Sequence, residues 1–166
     1  MKKFLPIILI VVVGTVIFFY LNATQNEEAT IISIPDLTLE SHDGDTISLK
    51  ELQGTPLVIN TWASWCSFCK EELKDFKVLQ EELEDEVIVV AINRAESLEK
   101  TTQYTNQPGV EGSLLFLLDP ADSFYREING FSMPETIFVD SNGKIRIHKR
   151  GFMAIEEIRE KTNQIL

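Results

Sequence analysis

The stretch Leu57 to Leu73, LVINTWASWCSFCKEEL, decides how this chain folds. Its first six residues form a short apolar run rich in β-branched side chains, the composition of a strand buried on both faces of a sheet. From Lys70 the period changes. Leu73, Phe76, Leu79 and Leu83 recur at spacings of three and four, one apolar stripe of a helix over 70–83. Between strand and helix stands Trp65-Cys66-Ser67-Phe68-Cys69. A helix N-terminus presents unpaired N–H groups and the positive end of the dipole, and in C-x-x-C motifs this lowers a thiol pKa from near 8.5 to about 3.5–7.5. Cys66, at the junction, gains most and reads as a nucleophile. Cys69, one turn later on the same side, reads as the resolving thiol that closes the pair into a disulfide.

These are the only two cysteines in 166 residues, which excludes the disulfide framework of a small secreted scaffold. A structural zinc site needs four ligands, and only His42, in a turn, and His148, on a late strand, could supplement the pair. Zinc is therefore disfavoured, and both histidines read as solvated surface residues. No further cofactor is expected beyond the Cys66–Cys69 couple.

Upstream, IPDLTLESHDGDTISL from Ile34 alternates around His42-Asp43-Gly44-Asp45, a β-hairpin signal. Downstream, VIVVAI at 87–92 and the run 114–118 repeat the buried-strand signature. A helix fits Lys100 to Asn106, ending before Pro108-Gly109, and a short one fits Phe124 to Ile128. Pro134 precedes a strand at 136–139, DSNGK at 140–144 is a turn into an antiparallel partner, and an amphipathic helix is expected over 155–166. Strands alternating with helices, then a terminal hairpin and helix, indicate an α/β fold with a central mixed sheet and helices on both faces.

The length suits one domain of about 100–150 residues plus an appendage. The appendage is the N-terminus: Lys2 and Lys3 precede an uncharged apolar run over 4–21. A membrane span takes about 20 apolar residues, against about 7–15 for a signal-peptide core. Length and the bulky Leu21 favour a retained anchor over 1–21, followed by a polar linker over 22–33 and a folded domain over 34–166. The paired lysines place the N-terminus inside and the domain on the extracytoplasmic side of the cytoplasmic membrane. Formal charge is −11, or −13 with Lys2 and Lys3 set aside, so nucleic acid is excluded as a partner.

LVINTWASWCSFCKEEL, the preceding IPDLTLESHDGDTISLKELQGTPLVIN and the later GFSMPETIFVDSNGKI together resemble the membrane-anchored thioredoxin-like proteins of the TlpA, ResA and DsbE type, over residues 34–151. The resemblance implies a thioredoxin-like fold with an extra N-terminal hairpin and a central insertion. It implies Cys66 and Cys69 as the redox pair, Pro134 as a cis-proline facing them, and substrate contact through Trp65, Met133 and Pro134. Glu72 lies three residues after Cys69 on the same helical face, where burial raises a carboxyl pKa towards a useful range. It matches the family's acid that tunes the thiols and moves protons, while Asn60 stands where ordinary thioredoxins carry a buried acid.

The implied activity is reduction of disulfides in exported thiol proteins, apocytochrome c among the candidates, with re-reduction by a membrane electron donor. Phe68, where many relatives have proline, and the absence of proline at Lys74 leave the direction of electron flow open, so an oxidant using the same residues is an alternative. A peroxiredoxin-like peroxidase is disfavoured by Ala63, three residues before Cys66, where that chemistry commonly uses a hydroxyl. A non-catalytic anchored module that grips partners beside Pro134 is a further alternative.

Overall fold

The computed structural model describes residues 33 to 166 apart from 108, 111 and 113. The expected anchor over 1–21 and nearly all of the linker lie outside the described residues. Among the described residues no helix is long and apolar enough to cross a membrane.

Strands β1 (Thr38–Ser41) and β2 (Thr46–Ser48) form the expected hairpin, turned at Gly44, whose φ of 89° suits a residue without Cβ. A 3₁₀ turn at Leu49–Leu52 leads to β3 (Leu57–Trp62), then α1 (Ser67–Leu83) and β4 (Ile88–Arg94). Next come α2 (Leu98–Thr105), β5 (Leu115–Asp119), α3 (Ser123–Glu127), β6 (Glu135–Val139), β7 (Ile145–Arg150) and α4 (Ile155–Thr162). The final helix stops short of the expected 166, because Gln164 and Ile165 close back on Lys161 and Thr162 in a tighter turn.

The seven strands lie in the order β2-β1-β5-β4-β3-β6-β7. β3 pairs parallel with β4 and antiparallel with β6, and β4 pairs parallel with β5. Every residue of β3 is buried, the structural reason its sequence reads as an unbroken apolar run rather than an alternation.

Alternation along β3 still divides the core in two. Val58 and Trp62 face the side where Leu73, Phe76 and Leu79 of α1 and Ile158 of α4 pack. Leu57 and Ile59 face the other side, against Leu49, Phe124 and Ile128. Asn60, two residues from both Val58 and Trp62, therefore points at α1. Glu135 on β6, in register with Thr61, belongs to the opposite face.

Candidate active site

α1 begins at the reactive pair. Cys66 is extended (φ −88°, ψ 106°) and caps the helix, its Sγ accepting from the Cys69 N–H at 3.1 Å, where serine or aspartate oxygen commonly sits. The two cysteines form a disulfide with Cα atoms 5.3 Å apart. Cys66 keeps 6% of its surface exposed and Cys69 none, so an incoming sulfur reaches Cys66 first. The start of the helix is fastened from α2, where the Tyr104 hydroxyl donates to the Lys70 carbonyl at 3.1 Å.

Glu72 is fully buried on α1. Its Oε2 accepts from Asn60 Nδ2 at 2.8 Å and its Oε1 from the Met153 N–H at 2.9 Å. Asn60 Nδ2 also donates to Thr136 Oγ1 at 2.9 Å, tying α1 to two central strands. Burial pushes the Glu72 carboxyl up to about 8, helped by the negative charges of Asp75 and Glu157 and opposed by the Met153 and Asn60 hydrogen bonds. A carboxyl titrating there can hold a proton at neutral pH and release it on modest demand.

A second buried acid secures the segment before Cys66. Glu96 Oε2 accepts from the Ser64 N–H at 2.7 Å and from Asn93 Nδ2 at 2.9 Å, Oε1 accepts from Ser64 Oγ at 2.7 Å, and Lys100 pairs with the same carboxylate. Burial works upward on this group, yet the bonds from Asn93, Lys100 and Ser64 outweigh it and hold the pKa at about 2.

The Met133–Pro134 peptide is cis. Pro134 is buried, and Met133, half-buried, packs against the cluster that contains Cys66 and Cys69. Around them stand exposed aromatic side chains: Trp65 at 64%, Phe68 at 58% and Phe131 at 86%. Phe68 leans on Phe152 with ring centroids 5.9 Å apart.

Glu135, next after Pro134, is also fully buried. Its Oε1 accepts from the Phe131 and Ser132 N–H groups, and its Oε2 bonds His148 Nε2 at 2.7 Å. Burial pushes this carboxyl up, but His148, Ser132 and Phe131 outweigh it and leave it below the ordinary value. An ionised carboxylate only accepts, so Nε2 of His148 carries the proton of that bond.

The expectation of two solvated histidines is thereby corrected. His148 faces Glu135 because β6 and β7 pair with Ile137 opposite it. His42 is half-buried on Phe116, ring centroids 5.3 Å apart, and burial lowers its pKa against the pull of Asp43. Sequence reasoning also missed Glu96 and Glu135, whose bonds to Ser64 and His148 come from distant parts of the chain and leave no periodic signal.

The Redoxin family matches residues 32–165. Among the proteins this chain resembles, the thioredoxin-like protein YneN of Bacillus subtilis is 30% identical over 166 residues, covering 97% of each chain. The sporulation thiol-disulfide oxidoreductase A of the same organism is 26% identical, covering 99% of each. The exposed lipoprotein thioredoxin of Streptococcus pneumoniae superposes with a TM-score of 0.70 at 26% identity, over 78% of this chain and 99% of that one. With the C-x-x-C disulfide at the head of α1 and a cis-proline before β6, these matches show that the chain belongs to the Redoxin family, as a thiol-disulfide oxidoreductase of the DsbE and ResA type.

Proposed function

We propose that this protein reduces disulfides in exported proteins from the extracytoplasmic side of the cytoplasmic membrane, held there by an anchor over 1–21 and a linker over 22–33. The observation that carries the catalytic part is the asymmetry of the pair: Cys66 is the cysteine with exposed surface and caps a helix, while Cys69 is sealed beneath. The anchor rests on the apolar run behind Lys2 and Lys3.

In the reduced protein the Cys66 thiolate attacks one sulfur of a substrate disulfide. That bond breaks, a mixed disulfide forms, and the departing substrate thiolate takes up a proton. Glu72, titrating at about 8, accepts the proton of the Cys69 thiol from its ionised fraction, and the resulting thiolate attacks Cys66 Sγ. The mixed disulfide breaks, the Cys66–Cys69 bond closes, and the second substrate thiolate leaves and is protonated, so two electrons pass to the substrate. A membrane dithiol donor restores the pair, with no cofactor beyond it. Trp65, Met133 and Pro134 contact the substrate chain.

Cys69→Ala in the full chain should accumulate mixed disulfides on Cys66 with exported proteins, apocytochrome c among them. No trapped partner would overturn the reading. A measured potential near −270 mV supports a reductant, and one near −120 mV would mark an oxidant instead. A membrane-impermeant thiol reagent should label the reduced Cys66 in intact spheroplasts, and protection until lysis would overturn the placement.

A further inference from the structure

Residues 129 to 134, leading into β6, are held from the sheet face opposite α1. Glu135 Oε1 takes the N–H groups of Phe131 and Ser132, and its Oε2 takes His148 Nε2, with Arg150 Nε 3.7 Å from the same carboxylate. The Tyr125 hydroxyl donates to the Ser132 carbonyl at 2.8 Å, and the Gly130 N–H donates to the Tyr125 carbonyl at 2.8 Å. A Cβ on Gly130 would lie 2.4 Å from the Tyr125 ring, so the two pack without room to spare. Arg150 Nη2 reaches the Asn129 carbonyl at 3.3 Å.

The chain spends a fully buried, ionised carboxylate on two backbone donors of a surface loop. Desolvating a carboxylate is costly unless several strong donors meet it, and here two backbone N–H groups and His148 do. The loop thus fixed carries Phe131, the most exposed large apolar side chain among the described residues, and Met133, which touches the cluster around the cysteines. We propose that Glu135, braced by His148 and aided by Tyr125, is a positioning residue that preforms residues 131–134 as a docking edge for the polypeptide flanking a substrate disulfide. This rests on the reading of the protein as a reductase of protein disulfides. A preformed edge lowers the ordering cost of binding a flexible chain. It does nothing for a disulfide that carries no polypeptide.

The test compares insulin with hydroxyethyl disulfide as oxidants of the reduced full-length protein in detergent. Glu135→Gln should lower kcat/KM for insulin by about tenfold, chiefly through KM, and leave hydroxyethyl disulfide within about twofold. Tyr125→Phe, which removes one hydroxyl and tests the edge if Glu135→Gln fails to fold, should give a smaller loss of the same selective kind. His148→Gln, still able to donate to Oε2, should retain the insulin rate that His148→Leu loses. The Cys66 thiol pKa and the reduction potential should not move in any of these variants. Equal slowing of both disulfides would overturn the proposal by placing the effect at the cysteines, and so would no slowing of insulin in any variant. A wild-type protein that reacts with neither disulfide would instead defeat the reductase reading itself.

Discussion

Asn60 on β3 donates to Glu72 Oε2 across 2.8 Å, and that bond joins the strand before the cysteines to the helix after them. On the other face of the sheet Glu135 is equally buried yet displaced in the opposite direction, because His148 and two backbone N–H groups meet it where Glu72 meets only amides. Two inaccessible carboxyls on opposite faces of one sheet, Glu72 on α1 and Glu135 on β6, thus take different charge states at neutral pH, set by their partners rather than by depth.

Glu72 should make the oxidised protein less stable as pH rises. Its folded pKa of about 8 lies above the ordinary 4.5, so the folded state binds the extra proton between those values. Stability associated with this group is full below about 4.5 and is lost progressively as pH climbs through 8, a loss on the order of a few kcal/mol. Denaturant titration at pH 5 and pH 9 should show that decline in the wild type and a much flatter difference in Glu72→Gln.

Glu96 should behave in the reverse sense. With its folded pKa near 2 and the ordinary value 4.5, its contribution is complete above the ordinary value and disappears as pH falls towards 2. Glu96→Ala leaves the Ser64 N–H and Asn93 without their acceptor, and should cost about 2–4 kcal/mol at pH 7. The deficit relative to wild type should shrink on acidification, as urea midpoints at pH 7 and pH 3 will show.

The strand, the helix stripe and the cysteine junction were legible because each is a local pattern: β3 occupies Leu57–Trp62 as expected, and Leu73, Phe76 and Leu79 are the buried face of α1. The burial of Glu72 was legible from one helical turn of spacing. Glu96, Glu135 and His148 were not, since what defines them is who lies opposite. His148 looks like a solvent-facing residue on a polar strand until the β6–β7 register sets it against a carboxylate that the sequence presents merely as the residue after a proline.

Phe76, fully buried between α1 and the sheet, carries much of the helix's attachment. Phe76→Ala should destabilise the protein by about 3–5 kcal/mol through lost burial and the cavity left behind. Because the helix that caps on Cys66 is held by this packing, the variant should also show increased amide exchange at 67–70 by hydrogen-exchange mass spectrometry.

Phe68 stands between the cysteines with 58% of its surface in water and its ring against Phe152. An exposed aromatic pair contributes little to folding, so Phe68→Ala should change global stability by no more than about 0.5 kcal/mol. Its apolar surface lies beside the sulfur that a substrate must approach, and burying it against an apolar residue flanking the substrate cysteine is worth roughly 1 kcal/mol. The rate of insulin reduction by Phe68→Ala should therefore fall about fivefold. Phe152→Ala should lose less, since its ring supports Phe68 and is itself only 38% exposed. Stopped-flow reduction of insulin by the full-length variants measures both, and a Phe68→Ala protein as fast as wild type would show that the aromatic rim takes no part in recognition.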